Sequence, residues 1–547
     1  MLLAVLILGP ALAPGLVIAY DMVWSPTPRW TPFVLGMGTP APRVVPSDAA
    51  IVLLGKLITA EAAQKVVLVL VLVLAGTGAA ALLRHLRPDA SILAVLAAVV
   101  AALWNPFVAE RLVVGQWTIL LGYAVLPWLT RAVLLVRVRA ASIWTVCGWL
   151  TLAAVGGANS LIIALAALVV LLGSPVTPRL KVFASLVWLG GAAVWAVPAL
   201  AGSARMTVDG VAEFIPRSDT PFGVVLSLAS GGGFWNTAVH PPERSGWFIA
   251  LLATSLSLVA ISIAVRHFWV RGPRALVVVA IGAFLLTVSS TLQATSGLWS
   301  ALITEVPGGG LLRDSQKLLA PWVLLIALGL GLLVDAARTS SRMHSWAGPT
   351  AVVLTVLPLL ILPSLAWGGS GRLRAVEVPA GYRQVAHVVS GLPSGEVGLL
   401  PWNQYRRYDW NGSRVSLTLA PRIIDQRILF NDSLPLSVGE VPGEDPRAAR
   451  VSRRIKEGTD PIVALRDEGV TYLAIEVGTG LPDDIPTDAG QIVAESEHLV
   501  IIAVGEPEEV AQSHRWHITG WAVSLVTWVV VLLGLAISRV PRKGRRL

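Results

Sequence analysis

Long apolar runs separated by short polar stretches dominate this chain. A run of about 20 apolar residues crosses a bilayer as one helix. Twelve such runs are present, at roughly 1–19, 65–83, 90–104, 117–135, 142–156, 159–173, 182–201, 246–265, 275–292, 318–334, 347–367 and 518–538. The pattern predicts a polytopic α-helical membrane protein with about twelve transmembrane helices.

The basic residues predict how these helices are oriented. If the N-terminus is cytoplasmic, every even-numbered gap between runs is basic, as at Arg84 and Arg87 or at Arg266 and Arg271, and so is the tail after Arg539. Positive charge beside a transmembrane helix favours the cytoplasmic side. Both termini are therefore expected in the cytoplasm.

Two features leave alternatives open. The runs at 142–156 and 159–173 are short and could form one broken helix, which would invert the topology downstream; the distribution of basic residues favours two helices. The first run could also be a signal peptide, with Ala11 to Ala13 before a cleavage point, although it lacks a basic start.

The composition agrees with a membrane protein and excludes some classes of function. Of 547 residues, 55% are hydrophobic and 14% charged, whereas soluble proteins carry about a quarter charged residues. The mean hydropathy is +0.71. Much of the net charge of +9 lies in clusters beside apolar runs, so it indicates topology and not nucleic-acid binding. A single cysteine, Cys147, excludes an intramolecular disulfide and a cysteine metal site.

Three long segments between the runs fall on the predicted outer face. They are the loops 20–64 and 202–245 and the segment 368–516, which has ordinary soluble composition and strand-like stretches near 396–401, 471–476 and 498–504. The predicted organisation is a transmembrane module of about eleven helices over 1–367, an extracytoplasmic α/β domain over 368–516, and a final helix with a basic cytoplasmic tail over 517–547.

The apolar runs contain no Asp, Glu, Lys or Arg near their centres. Ion-coupled transporters usually keep such residues at mid-depth, so the pattern argues against a proton-coupled transporter. Any polar chemistry is expected at the outer interface.

The first outer loop supplies the candidate for acid–base chemistry. Asp21 is the first charged residue of the chain and follows the first apolar run. A carboxylate there could take a proton from an acceptor hydroxyl as a general base. Arg43 and Asp48 in the same loop are further cavity candidates. The alternative is an interfacial carboxylate in water, or one paired with Arg29 or Arg43.

Two other outer segments carry charged or ligating side chains. Glu110 and Arg111 stand together in a predicted short loop between the third and fourth runs. They either face a polar cavity or neutralise one another at the headgroups. His240 could ligate a metal or hold a phosphate, but it has no partner at ligand spacing, so no metal site is predicted.

A glycine-rich segment before the tenth run carries the candidate phosphate ligands. Arg313 and Lys317 are four residues apart, which predicts one helical face, and Asp314 lies between them. Two cations at the interface suit a lipid-linked phosphate, or they are interfacial anchors. Further on, 401–411 combines aromatic and polar residues in a way suited to stacking on sugars.

This layout resembles the GT-C fold of integral-membrane glycosyltransferases, which use polyprenyl-phosphate sugars on the outer membrane face. The resemblance rests on the long loop after the first helix, the second long loop between helices seven and eight, and the late soluble domain. The high Ala, Val, Leu and Gly content is similar to that of actinobacterial arabinofuranosyl- and mannosyltransferases of the cell envelope. In that family the first loop carries the catalytic acid; here Asp21 stands alone, and the next acid is Asp48.

The resemblance implies a function. The protein is expected to move a sugar from a polyprenyl-phosphate donor to a cell-envelope glycan or glycolipid, in the plasma membrane of a bacterium, with Asp21 as general base and Arg313 and Lys317 on the donor phosphate. No cofactor is expected, although some related enzymes bind a divalent metal. The alternatives are a non-catalytic envelope scaffold or inactive homologue, and a glycolipid transporter, which would predict internal repeats.

Overall fold

Apolar helices pack into a bundle that accounts for most of the chain, and a smaller mixed sheet follows near its end. The computed structural model describes residues 1–38, 42–201, 209–306, 308–339, 345–436, 439–481, 488–506 and 514–539. The predicted basic tail beyond 539 and the start of the second outer loop, 202–208, lie outside these residues.

The α-helices follow one another along the chain. They are α1 (Leu2–Leu8), α2 (Ser47–Leu57), α3 (Ala60–Leu86), α4 (Ile92–Leu103), α5 (Pro106–Val113), α6 (Trp117–Arg137), α7 (Ile143–Val155), α8 (Gly157–Leu172), α9 (Pro178–Ala201), α10 (Asp209–Glu213), α11 (Val224–Ala229), α12 (Trp247–Arg271), α13 (Arg274–Ser289), α14 (Ser296–Thr304), α15 (Ala320–Thr339), α16 (Ala347–Ile361), α17 (Ala366–Ser370), α18 (Ala380–Val389), α19 (Pro446–Lys456), α20 (Pro461–Arg466) and α21 (Arg515–Arg539).

Each of the twelve predicted runs overlaps an apolar helix, but the helices differ in length. Within the described ranges, seven are long and apolar enough to cross a bilayer, and two bent pairs, at 274–304 and 347–370, raise this to nine if each pair is one span. Three shorter apolar helices cover Leu2–Leu12, Ile143–Val155 and Gly157–Leu172. The chain is a polytopic helical membrane protein, and the count of twelve spans stays a prediction.

The first run differs most from expectation. Its helix ends at Leu12 after a 3₁₀ turn, and Ala13 has an extended backbone with ψ of 162°. Pro14 explains the break, because proline disfavours the α conformation in the residue before it. The expected helix over 13–19 is therefore wrong, and this segment is extended instead.

The sheet region contains the three predicted strands side by side. The strands are β1 (Leu16–Val17), β2 (Ala375–Val376), β3 (Glu396–Leu400), β4 (Tyr405–Arg406), β5 (Ser416–Leu417), β6 (Arg427–Leu429), β7 (Leu434–Leu436), β8 (Gly439–Val441), β9 (Tyr472–Glu476), β10 (Gln491–Glu495) and β11 (Leu499–Ala503). Five of them form one sheet in the order β10-β11-β9-β3-β6, in which β3 is parallel to β6 and β9. Which side of the membrane this region faces stays a prediction.

The extended segment after α1 joins the bundle to the sheet region. Its strand β1 pairs with β2 in an antiparallel arrangement. Gln64, on the long helix α3, holds the backbone of Val17 on both sides, because its Oε1 accepts from the Val17 N–H at 2.7 Å and its Nε2 donates to the Val17 carbonyl at 2.9 Å. The backbone leading to Asp21 is therefore fixed by both parts of the protein.

Candidate active site around Asp21

Asp21 lies at the tip of a tight turn that ends the extended segment. The Met22 N–H donates to the Ala19 carbonyl at 2.8 Å, and the Ala19 N–H donates back at 3.1 Å. Tyr20, the first of the two turn residues, has a φ of +45°, in the left-handed region that few side chains occupy. The surrounding structure must hold this conformation in place.

The bundle supports one side of the turn. The Asp21 N–H donates to the Val114 carbonyl at 3.1 Å. The next residue, Gly115, has a φ of +82°, and a Cβ added there would lie 2.4 Å from the Met22 nitrogen. Only glycine allows the turn to approach the bundle so closely.

The sheet region supports the other side of the turn. The Tyr20 N–H donates to the Val415 carbonyl at 2.7 Å, and the Leu417 N–H donates to the Tyr20 carbonyl at 3.0 Å. Asn411 also donates to the Ile18 carbonyl at 3.0 Å. Asp21 is thus positioned by the junction of the two parts of the chain.

A buried hydrogen-bond network begins at the Asp21 carboxylate. Gln116 Nε2 donates to Asp21 Oδ2 at 3.0 Å. Arg111, which is fully buried, donates to Gln116, to Gln316 at 3.0 Å and to Asp314 through two nitrogens, one at 2.9 Å. Burial alone would raise the pKa of Asp314, but the Arg111 guanidinium outweighs it and holds the pKa below its usual range.

The same network continues away from Asp21. Gln316 Nε2 donates to Glu110 at 3.1 Å. Beyond Glu110, Arg244 forms a buried ion pair with Asp219 and lies close enough for its charge to act on Glu110. Because Glu110 and Arg111 lie on α5 and are fully buried, the predicted loop with a headgroup pair is wrong. They belong to a polar layer at one end of the bundle.

Around Asp21, several polar side chains are surrounded by protein yet remain partly accessible. Arg43 is 45% exposed and Arg313 25% exposed; Asp21 and Tyr405 are intermediate in exposure. Burial nevertheless raises the pKa of Asp21, against the lowering effects of its hydrogen bond from Gln116 and of the nearby Arg313 charge. These side chains are therefore partly desolvated without being sealed from solvent.

Tyr405 lies near these side chains. Burial raises the pKa of Tyr405 and the Asp21 carboxylate raises it further, while the charges of Arg313 and Arg43 oppose them. All three charged groups therefore lie near one phenol. Burial and the Arg43 charge together lower the pKa of Arg313 to about 10.

Glu444 pairs with both Arg43 and Arg313. Glu444 Oε1 lies 2.5 Å from Arg43 Nη2 and 3.7 Å from Arg313 Nη1. Burial would raise the pKa of Glu444, but the charges of Arg43 and Arg313 hold it below its usual range. Arg313 also stacks over the Phe214 ring, 4.4 Å from its centroid.

The predicted pairing of Arg313 with Lys317 on one helical face is wrong. Two 3₁₀ turns, Gly309–Leu312 and Ser315–Leu319, are separated by Arg313 and Asp314, and the ψ of 78° at Asp314 is not helical. Lys317 is only 3% exposed and donates to Asn159 Oδ1 at 3.0 Å. It is therefore not an exposed interfacial anchor. The charges of Asp314 and Arg313 nevertheless act on it, and its part in binding a phosphate stays a prediction.

Two further candidates have structural partners. Asp48 is buried and pairs with Arg422 of the sheet region at 2.8 Å, so it fastens helix α2 to that region. His240 uses Nε2 to bond the Phe234 carbonyl at 2.7 Å. In the part of the chain that the structure describes, no three His, Cys, Asp or Glu residues lie together as a metal site would need.

Sequence reasoning missed two members of the site, Gln116 and Glu444, and reached the third, Tyr405, only as part of a segment. Gln116 is neutral and carries no charge signal, and Glu444 lies in a soluble-like segment where acids are common. Tyr405 falls within the aromatic segment 401–411 that was singled out for sugar stacking, so this segment did point toward the site.

Comparison with known proteins identifies the fold. No protein-family model and no curated protein matches the sequence. Among solved structures, the arabinofuranosyltransferase AftD from Mycobacteria matches with a TM-score of 0.55 at 15% identity, over 93% of this chain and 40% of that chain. A mutant form of that enzyme matches with a TM-score of 0.53 at 16% identity, over 94% of this chain and 41% of the other.

The chain has the GT-C fold, as its sequence predicted. It spans about two fifths of the length of the solved AftD chains it matches.

Proposed function

We propose that the protein is a membrane glycosyltransferase that moves a sugar from a polyprenyl-phosphate donor to a cell-envelope glycan or glycolipid. The contacts that carry the proposal bring Asp21, Arg43 and Arg313 near Tyr405. Tyr405 pairs with Leu417, which bonds the turn residue beside Asp21, and Arg43 and Arg313 share Glu444, while the charges of Asp21, Arg43 and Arg313 all act on Tyr405. A base and two cations are the groups that such a transfer requires. The GT-C fold and the arabinofuranosyltransferase activity in the name of the solved AftD chains agree with it.

Asp21 acts as the general base in this proposal. It takes the proton of an acceptor hydroxyl while that oxygen attacks the anomeric carbon of the donor sugar. The bond from the sugar to the phosphate oxygen breaks, and the polyprenyl phosphate leaves with the electron pair. A single displacement of this kind inverts the anomeric configuration. A pKa raised by burial brings a carboxylate closer to the value that suits a base at neutral pH.

Arg313 and Arg43 receive the donor phosphate. Lys317 is buried nearby, where its charge acts on Asp314. Since Glu444 lies between the two arginines, its carboxylate must withdraw before a phosphate binds there. The two arginines stabilise the charge that grows on the leaving phosphate.

The orientation follows from the same proposal. Because the turn at Asp21 hydrogen-bonds to the sheet region, the acid and that region lie on the same side of the membrane. We assign this side to the outer face of the plasma membrane of a bacterium, with both termini in the cytoplasm, as the basic residues predict.

Transfer from defined donors tests the proposal. The full chain in lipid nanodiscs is given a cell-envelope glycan acceptor with polyprenyl-phosphate arabinose, polyprenyl-phosphate mannose or the corresponding nucleotide sugars, and the sugar transferred to the acceptor is measured. We expect turnover with a lipid-linked donor only. Arg313→Gln should lower kcat/KM about 10- to 100-fold, the range for losing a charge-assisted hydrogen bond.

Arg217→Gln is the matched control. Arg217 is an exposed arginine between α10 and α11, and its ion-pair partner Glu213 lies four residues before it. It should retain normal turnover. No turnover with any polyprenyl-phosphate sugar, or equal turnover in the Arg313 and Arg217 variants, would contradict the proposal.

A further inference from the structure

Four arginines gather where the helical bundle meets the sheet region. Arg372 and Arg374 lie between α17 and β2, and Arg407 and Arg414 lie between β4 and β5. Arg414 joins the two segments, because its Nη1 donates to the Arg374 carbonyl at 2.8 Å and to the Arg372 carbonyl at 3.4 Å. Arg407 Nη1 donates at 3.3 Å to the carbonyl of Ser413, the residue before Arg414. These four residues form the arginine patch.

The arginine patch has no carboxylate to balance it. Among the described residues none of its four members forms an ion pair, whereas six other arginines of the sheet region do. Asp409 lies in the same segment, but its Oδ1 accepts the Trp410 N–H at 2.6 Å, and a Cβ on Gly478 would lie 2.8 Å from its Oδ2. Glu377 is exposed and forms no ion pair with the described residues either. The patch therefore keeps a net positive charge.

Arg414 is a fixed cation within the patch. Its Nε donates to the Asn411 carbonyl at 3.0 Å and its Nη2 to Asn411 Oδ1 at 2.7 Å, in addition to the two bonds from Nη1. All of these acceptors are neutral, so they hold the guanidinium without neutralising it. Burial lowers the pKa of Arg414, and the like charge of Arg374 lowers it further, so the two guanidinium groups lie close together. An anion beside them would relieve this repulsion.

Arg374 and Arg372 present the donors of the patch. Both are exposed. The Arg374 side chain has no hydrogen-bond or ion-pair partner among the described residues, and Arg372 uses only Nη1, which donates to the Ala238 carbonyl at 3.2 Å. A guanidinium carries five N–H donors in a planar fork that matches phosphate oxygens. Two such groups are therefore available to one phosphate.

The arginine patch lies at the edge of the membrane. The bent candidate span over 347–370 ends two residues before Arg372, and Trp367 near its end is 61% exposed. Ala238, which accepts from Arg372, lies in the loop that leads into the candidate span Trp247–Arg271. Tryptophan concentrates at membrane–water interfaces. The patch is therefore at the depth of the lipid headgroups.

We propose that the arginine patch binds the headgroup of an anionic phospholipid such as phosphatidylglycerol, with Arg372 and Arg374 donating to its phosphate and Arg414 adding a fixed positive charge. A zwitterionic headgroup fits less well, because its ammonium group brings another positive charge to the patch. Val415, the neighbour of Arg414, accepts from the Tyr20 N–H in the turn that holds Asp21. The bound lipid thus fastens the sheet region to the membrane beside that turn.

This surface is separate from the site proposed for the donor. The donor phosphate is assigned to Arg43 and Arg313, which pair with Glu444, whereas the arginine patch has no such partner among the described residues. The inference does not depend on transferase activity, and its test measures lipid contact directly.

Photolabelling in nanodiscs tests the inference. A phosphatidylglycerol with a diazirine on its headgroup is irradiated with the full-length protein at a subsaturating concentration, and labelled peptides are mapped by mass spectrometry. We expect labels within 367–374 and 407–414. Arg374→Gln should lower them about fivefold, the effect of one arginine at an anionic membrane surface. The substitution leaves the residue 374 carbonyl in place, so the bond from Arg414 remains.

Arg453→Gln is the matched control, because Arg453 is an exposed arginine on α19 that has no ion pair among the described residues. It should leave the labelling unchanged. Equal labelling in the Arg374 and Arg453 variants would overturn the proposal.

Competition identifies the class of ligand. Unlabelled phosphatidylglycerol should compete at least fivefold better than phosphatidylcholine, and inorganic phosphate at the same concentration should not compete. Equal competition by the two phospholipids would overturn the proposal. Competition by inorganic phosphate as strong as that by phosphatidylglycerol would assign the patch to a soluble anion, and stronger competition by a polyprenyl phosphate would assign it to a lipid-linked substrate; either result would overturn the proposal as well.

Discussion

Replacing Arg111 by methionine removes the centre of the buried network behind Asp21. The guanidinium donates to Asp314 through two nitrogens, to Gln316 at 3.0 Å and to Gln116. Methionine keeps much of the side-chain volume but none of the donors. The Asp314 carboxylate, which is buried, then lacks its ion-pair partner.

The expected loss of stability follows from that unpaired charge. Removing one partner of a buried ion pair costs about 3–5 kcal/mol, whereas replacing both partners by apolar groups is often close to neutral. Arg111→Met should therefore lower the free energy of unfolding by about 3–5 kcal/mol. The double variant Arg111→Met/Asp314→Leu should recover most of that loss, because neither buried charge remains.

The single cysteine provides the assay. Cys147 is fully buried on α7, so its reaction with a fluorescent maleimide reports unfolding during a denaturant titration in micelles. The wild type, both single variants and the double variant form a mutant cycle. A loss below about 1 kcal/mol for Arg111→Met, or additive losses in the double variant, would refute the reasoning about the buried pair.

Three further substitutions test the surroundings of Asp21. Gly115→Ala places a Cβ against the turn that holds Asp21. It should lower the rate of sugar transfer at least tenfold by misplacing the base, while maleimide labelling of Cys147 shows that the protein is folded. Unchanged activity would contradict the close approach of Gly115 to the turn. Gln116→Met removes a hydrogen bond that lowers the pKa of Asp21. Because activity is lost as the pH falls through that pKa, the acid limb of the pH–kcat/KM profile should move to higher pH. An acid limb at the same or a lower pH would contradict the expectation. Glu444→Gln removes the countercharge of Arg313 and should tighten binding of polyprenyl phosphate several-fold in a titration, whereas weaker binding would show that Glu444 is needed to hold the site.

Hydropathy predicted the positions of the apolar helices because a membrane imposes a simple requirement. Backbone polar groups in lipid must be satisfied within the helix, so long apolar runs become helices wherever they fall. The same rule fails over 13–19, where Pro14 breaks the run locally. The central strands were predictable because short apolar stretches alternate there with polar turns.

The site itself was only partly predictable. Asp21 and Arg313 could be selected from their charge and their place beside apolar runs. The arrangement around them depends on contacts between distant parts of the chain, such as Gln116 with Asp21 and Glu444 with Arg313. Local spacing misled at Lys317, because a four-residue interval places two side chains together only when the segment between them is helical.

The two aspartates of the first loop provide the decisive pair of variants. Asp21→Asn keeps the size of the side chain but removes the base, and Asp48→Asn disturbs only the ion pair with Arg422. Transfer from a polyprenyl-phosphate sugar by the folded fraction of each variant is the measurement. The proposed mechanism predicts a fall in kcat of about 10²- to 10⁴-fold for Asp21→Asn and turnover close to the wild type for Asp48→Asn. Turnover by Asp21→Asn at the level of the Asp48 variant would show that Asp21 is not the base.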